Sequence, residues 1–359
     1  MTSGNESRRA ESSTAERVAP GVAAPPPLVI ANPAARSGRT RGEIESIVTD
    51  LQERIGGVDL ALTEHAGHAT ALARRAVGER RALVVSVGGD GVLNEVVNGL
   101  LAGGEPTAAL PALGIVSAGT GGDFGRSLGI VPERGAYLNA IAAGRERTVD
   151  VGRAHFTARD GATVGRFFVN VLSAGIGGFV DRYTAAMPAM VPGRAAYGVA
   201  TVAAVAACRR RRIRCRAVLA DGSDLERILD TYAVVVANGH TFGGGMRVAP
   251  GARVDDGLLD VVLVETPTKL TMLRHFLSIY RGEHLTKPGV STFQCTRLEL
   301  DAESATGALA PDEASATRLA ASGASMRRRD LFPLDVDGDA LGDLPLVVEV
   351  VPARLRMLA

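Results

Sequence analysis

The stretch Leu83-Val84-Val85-Ser86-Val87-Gly88-Gly89-Asp90-Gly91-Val92-Leu93-Asn94-Glu95-Val96-Val97-Asn98-Gly99-Leu100 limits what this chain can fold into more than any other. Its β-branched apolar run reads as a buried parallel strand. A Gly-Gly-Asp-Gly turn follows, and a helical pattern then sets Val92, Val96 and Leu100 on one face. Glycines let backbone N–H groups approach a ligand without interference from Cβ. A helix that starts just after the turn points its positive end at the same place. Such a corner suits phosphate. Asp90 is the odd residue: a carboxylate beside phosphate repels it unless a cation lies between, which points to a nucleotide with Mg²⁺. A plain strand-to-helix turn with an exposed Asp would carry the same residues.

The 359 residues suffice for two domains of ordinary size. A formal charge of +1 gives no global case for nucleic acid, and with 4% aromatic residues and no Trp a base-stacking platform is not expected. Cys208, Cys215 and Cys295 form no CxxC pair, which fits a reducing cytoplasm rather than a disulfide framework or a zinc site. No apolar run reaches the roughly 18 residues of a membrane span. Arg8, Arg9 and Glu11 without a following apolar stretch do not read as a secretory signal.

In chain order, residues 1–26 read as a disordered tail ending in prolines. Leu28-Val29-Ile30 is a strand running into Asn32-Pro33-Ala34-Ala35-Arg36-Ser37-Gly38, either a second phosphate-contacting loop or an ordinary connection. Ile44, Ile47, Val48, Leu51 and Ile55 share one helical face. Asp59 to Leu62 is a short strand; His65 and His68 follow at a metal-pair spacing with no third ligand nearby. Leu113 to Val116 is a strand ending in another glycine-rich turn, Gly119-Thr120-Gly121-Gly122-Asp123. Alternating strands and helices imply a doubly wound parallel sheet over 27–149. Its loops at the carboxyl ends of the strands converge on one edge. From 150 to 351 short β runs dominate: Phe167 to Val171, Ile213 to Leu219, Ala233 to Ala237 and Leu259 to Val264. They predict an antiparallel, sandwich-like second domain. Tyr197 to Arg212 reads as a helix whose terminal arginines are either a solvated helix end or a group attracted to anionic headgroups. Residues 301–328 read as a flexible insertion, and 352–359 as a segment rejoining the first domain.

The ordered set of motifs resembles the catalytic-domain family of diacylglycerol kinases, which also includes sphingosine and related bacterial lipid kinases. Asn32-Pro33 with Ser37-Gly38, Thr63-Glu64, the Gly88 to Gly99 segment, Gly119-Thr120 with Asp123-Phe124-Gly125-Arg126, and Asp255-Asp256-Gly257 carry the resemblance. Arg281-Gly282-Glu283-His284 and Val336-Asp337-Gly338-Asp339 complete it. It implies an ATP- and Mg²⁺-dependent kinase acting on the hydroxyl of a lipid such as diacylglycerol or a sphingoid base. The implied nucleotide residues are Asn32, Pro33, Ser37, Gly38, Thr63, Gly88, Gly89, Asp90, Gly91, Val92, Asn94, Glu95, Gly119 and Thr120. Asp90 and Asp256, with the backbone carbonyls of Arg253 and Leu258, are the implied metal residues. Asp123 and Arg126 stand on the substrate side, and Asp339 stands where the family has its Glu base.

Three positions depart from the family pattern: Val92 replaces Thr, Gly122 replaces Asn, and Asp339 is one methylene shorter than Glu. They leave open a nucleotide or lipid sensor that has lost its chemistry. A kinase of NAD type shares the Gly-Gly-Asp-Gly turn, whereas a dinucleotide oxidoreductase lacks support because no GxGxxG follows the first strand. The expected partners are a lipid substrate and, peripherally, the inner membrane face from the cytoplasm, with no nucleic acid; a homodimer is compatible. An apolar cleft at the domain interface is expected for the lipid, with Phe167, Phe168, Phe179, Met187, Met190 and Val191 available to line it.

Overall fold

A computed structural model describes residues 24–33, 40–117, 122–158, 160–186, 193–302 and 332–359. The first half alternates strand and helix: β1 (Leu28–Ala31), α1 (Thr40–Ile55), β2 (Asp59–Leu62), α2 (His68–Gly78), β3 (Leu83–Gly88), α3 (Asp90–Leu101) and β4 (Ala112–Ser117), then α4 (Asp123–Ser127) and α5 (Arg134–Ala143). β2, β1, β3 and β4 pair in that order, all parallel. β1 and β3 are buried almost throughout because helices cover both faces. α3 lies tight against α2 at Gly99, where a Cβ would sit 2.7 Å from the Ala73 Cβ.

The second half begins with β5 (Glu146–Ala158), β6 (Thr163–Phe168) and β7 (Val171–Gly175). Helices α6 (Ile176–Ala185) and α7 (Gly193–Ala207) follow, then β8 (Arg211–Leu219), β9 (Asp224–Thr231), β10 (Ala233–Ala237) and β11 (Leu259–Val264). After α8 (Lys269–Phe276) come β12 (Val290–Ala302), β13 (Leu334–Val336) and β14 (Asp339–Leu358). These strands pair antiparallel around a core that includes Phe156, Phe168, Leu172, Val234, Val261, Leu298 and Leu346. The N-terminal α/β domain and the C-terminal sandwich-like domain of the sequence reading are both present.

The two are hydrogen-bonded into one mixed sheet of 14 strands. β14, 20 residues long, makes the join. It runs antiparallel to β5 over most of its length, pairs with β12 through Leu346 to Glu349, and reaches the parallel strands at Met357 beside Leu113. A register shift between Val351 and Leu355, with Ala353 at φ 49°, bends it from one body into the other.

Two sequence expectations change. Phe167 to Val171 is not one strand: β6 ends at Phe168 and β7 starts at Val171, because the backbone between them turns to meet the Asp337 carboxylate. The helix expected to run to Arg212 ends at Ala207, so its arginines straddle the turn and β8. There Arg210 pairs with Asp230 (2.7 Å) and Arg214 with Glu226 (3.5 Å). The expected tail (apart from residues 24–26) and nearly all of the 301–328 insertion lie outside the described residues.

Candidate active site

The carboxyl ends of the parallel strands bring the first set of expected residues to one edge. Asn32 and Pro33 follow β1, Thr63 follows β2, and Gly88 to Asp90 close β3. The Asn32 N–H donates to Val87 O (3.3 Å) and the Thr63 N–H to Ala31 O (2.9 Å), so the three ends are tied together. Ser37, Gly38, Gly119 and Thr120 lie outside the described residues. A Cβ added at Gly89 or Gly91 would meet no atom within 4 Å. Open backbone at the start of α3 is therefore available to a ligand, with the helix's positive end behind it. Val92 does not join that opening: its side chain packs back on Gly88, where a Cβ would lie 3.0 Å from Val92 Cγ2. His65 and His68 stack, and His68 Nδ1 accepts the Glu64 N–H (3.1 Å), a local turn rather than a metal pair.

Asp90 borders a cavity of about 20 Å³ lined by Ser86, Gly88, Gly89, Ser117, Gly122 and Tyr137, among others. Burial pushes its carboxyl up from 3.8 to about 7, helped by the negative charges of Asp123 and Asp337 and opposed by Arg126. Asp123 is already engaged. Its Oδ1 takes a 2.8 Å ion pair from Arg126, its Oδ2 accepts the Gly244 N–H (2.7 Å), and its carbonyl accepts the Thr241 hydroxyl (3.0 Å). The substrate-side pair Asp123–Arg126 thus fixes the loop after β10 to α4.

Asp337 is also engaged, and sequence reading gave it no role. Its Oδ1 accepts the N–H groups of Asn170 and Val171, and its Oδ2 accepts Val169 N–H and Asn94 Nδ2–H, all at 2.9–3.0 Å. Asn94 also donates to Phe167 O (2.9 Å) and accepts from Arg166 Nε (2.9 Å). One buried carboxylate thereby clasps α3 of the first domain to the β6–β7 turn of the second. Glu95 turns the other way: its two oxygens accept the Gly67 and Ala69 N–H groups at the start of α2. Asn94 and Glu95, both implied nucleotide residues, hold the frame in these contacts.

Two residues beyond Asp337, Asp339 is half-exposed with Arg166 Nη2 at 3.7 Å. Burial raises its carboxyl above the usual range, Arg166 opposes the rise, and Glu95 adds to it. Arg166 carries no motif signal; only the strand pairing reveals it.

The turn holding Asp256 has its own set of contacts. Asp256 Oδ1 accepts the Leu258 N–H (3.1 Å), and Asp255 pairs with Arg147 (2.8 Å). Asp256 is raised by burial and by Asp150, with Arg253 opposing, and none of these groups acts on Asp90. Among the described residues no group of three or more His, Cys, Asp or Glu side chains is arranged to hold a metal ion. Asp90 still fits a divalent cation shared with phosphate. It is a partly buried carboxylate among other acids, beside open backbone, and Mg²⁺ takes one or two carboxylates together with phosphate oxygens.

A larger cavity of about 110 Å³ lies within the second domain, between β7, β10 and β11 and the helices α6, α7 and α8. Ile176, Val180, Val205, Val262, Met272 and Ile279 contribute to an almost wholly apolar wall. This differs from the expected cleft at the domain interface. Phe168 is in the sandwich core, Phe167 packs on the first domain's core, and Phe179 packs against small clusters under the helices. Met187, Met190 and Val191 lie outside the described residues.

Residues 26–154 match the diacylglycerol kinase catalytic domain, and residues 170–317 match the YegS C-terminal NAD kinase beta sandwich-like domain. A probable YegS-like lipid kinase of Pectobacterium atrosepticum is 30% identical over 241 residues, 66% of this chain and 76% of that protein. A diacylglycerol kinase of Mycobacterium tuberculosis is 28% identical over 310 residues, 86% of this chain and 84% of its own length. The crystal structure of a diacylglycerol kinase from Bacillus anthracis superposes with a TM-score of 0.61 at 19% identity, covering 94% of this chain and 98% of that one, and so shares the fold. With both halves matched in order and 76% of the Pectobacterium protein covered at 30% identity, this chain belongs to the diacylglycerol kinase catalytic-domain family of lipid kinases.

Proposed function

We propose that the chain transfers the γ-phosphoryl group of ATP to the hydroxyl of a long-chain lipid such as diacylglycerol or a sphingoid base. The observation that carries this reading is the clasp. Asp337 ties α3, which starts at the glycine corner, to the strand turn that carries Asp339. Phosphoryl transfer is chiefly positioning and charge neutralisation, with a base near the attacking hydroxyl. The open backbone at Gly89 to Gly91 would hold the nucleotide phosphates. Mg²⁺, held by Asp90 and phosphate oxygens, would neutralise their charge when bound. Asp339 would take the lipid hydroxyl proton as the hydroxyl oxygen bonds to phosphorus and the bond to ADP breaks. Arg166 opposes the rise that burial imposes on that carboxyl. The apolar cavity offers the second domain as the wall for a lipid chain.

The test is ATP consumption by the purified full chain with Mg²⁺ in mixed micelles, offering diacylglycerol, a sphingoid base, ceramide, a polyprenol, NAD⁺ or no acceptor. Phosphorylation of one lipid is the expected result. Turnover of NAD⁺ alone, or ATP binding with no transfer to any acceptor, would overturn it.

A further inference from the structure

α7 and α8 are apolar on both sides. Inward, Val205 and Thr201 of α7 and Met272 and His275 of α8 line the apolar cavity. Outward, Val199 and Val202 are 56% and 59% exposed on α7, and Leu270 and Leu273 are 59% and 37% exposed on α8. The pairs are spaced i, i+3, so each forms one outward stripe. The two helices are joined where Lys269 Nζ at the start of α8 donates to Ala206 O in the last turn of α7 (2.5 Å). A water-facing helix normally carries charge on its outer side. From Ala195 to Cys208 α7 and its exit carry none. Exposed apolar stripes on two adjoining helices mark an interaction face.

Basic residues outnumber acidic ones along the two segments that carry these helices. Gly193 to Arg214 holds six arginines and no acidic residue; Thr266 to Gly282 holds Lys269, Arg274 and Arg281 and no acidic residue. Arg209, Arg210 and Arg274 are exposed. Asp230 and Glu226 of β9 pair with Arg210 and Arg214, which leaves the exposed Arg209 and Arg274 as the basic groups the docking argument uses.

We infer that the outer face of α7 and α8 docks this protein on an anionic lipid bilayer. Apolar side chains enter the headgroup boundary and the flanking arginines meet lipid phosphates. The same two helices form the outer wall of the apolar cavity, so a lipid leaving the bilayer has a short, continuously apolar route into it. That last step rests on the lipid-kinase reading; the docking itself does not.

The test is co-sedimentation of the full chain with vesicles of phosphatidylglycerol and phosphatidylcholine, and with vesicles of phosphatidylcholine alone, without ATP or acceptor. The wild type binds the anionic vesicles at least roughly tenfold better than the neutral ones, since each basic side chain near such a surface favours binding. V202E/L270E, at two exposed positions, weakens that binding by roughly tenfold or more. R209E/R274E does so at low salt. Circular dichroism and melting temperature confirm that the variants are folded, and size exclusion detects a second copy on the same face. Absence of vesicle binding by the wild type overturns the inference. So does binding that V202E/L270E leaves unchanged, or a wild-type dimer that the variant turns into a monomer. Micellar kinase activity alongside failed vesicle binding would refute the docking face and leave the proposed reaction standing.

Discussion

A Cβ built on Gly122 would lie 2.8 Å from the Tyr137 hydroxyl, so the phenol occupies the space that a side chain at residue 122 would need. Gly122 sits at φ +62°, which Asn tolerates better than most residues. The tyrosine, more than the backbone, therefore excludes the Asn usual in the family. G122N is expected to lose about 1–3 kcal/mol of stability through overpacking. Y137F removes a buried hydroxyl whose polar neighbour, Ser117, lies outside good hydrogen-bond geometry, and is expected to change stability by about 1 kcal/mol or less. Y137F/G122N should regain most of the loss. Urea denaturation of the four proteins checks this; additive effects within about 0.5 kcal/mol would show no coupling.

Asp90 links ligand binding to pH. With its carboxyl raised from 3.8 to about 7, the folded protein holds a proton there that the unfolded chain has released. Its contribution to stability is present below about pH 4 and falls as pH rises to about 7, by on the order of 4 kcal/mol. D90N should flatten that limb and melt higher than the wild type at pH 8. If Asp90 holds Mg²⁺ as proposed, Mg²⁺-ATP binding needs its ionised form, and wild-type affinity should drop about tenfold from pH 8 to pH 6, read by calorimetry.

The Asp337 clasp is expected to be the most sensitive polar element between the two domains. D337N leaves backbone N–H donors of residues 169–171 facing an amide that can accept less well and donates where no acceptor waits. A loss of about 3 kcal/mol or more follows. Hydrogen exchange should show lost protection at Val169, Asn170 and Val171. Unchanged exchange there would mean the donors find water instead.

Arg166 should set the pH dependence of turnover. R166M removes the cation that opposes the rise in Asp339, so the Asp339 carboxyl moves further up and the acid limb of the pH–rate profile shifts to higher pH. R166K should shift it less. D339N should lower turnover by 10²-fold or more while ATP still binds. A rate equal to wild type would remove Asp339 from the base role.

The glycine corner was legible because strand, turn and helix lie consecutively in sequence and obey local rules. The parallel sheet followed from the same alternation. The clasp was not, since Asn94, Asn170 and Asp337 meet only through strand pairing across some 240 residues. Arg166 escaped notice for the same reason, and Tyr137 because a tyrosine in an amphipathic helix looks like core. The break between Phe168 and Val171 was hidden by an apolar run whose β propensity is overridden by one carboxylate. The arginines after α7 read as a helix end because a charge run shows nothing of the acids it will meet on a neighbouring strand.

β14 carries a consequence for synthesis on the ribosome. β5 and β4 are made in the first 158 residues, yet the strand that fills the gap beside both is the last to emerge. Until it does, the early α/β half carries an unpaired sheet edge, a site where nascent chains aggregate. Completion of the first domain therefore waits until residues 339–358 have been made, and the two halves close together rather than in turn.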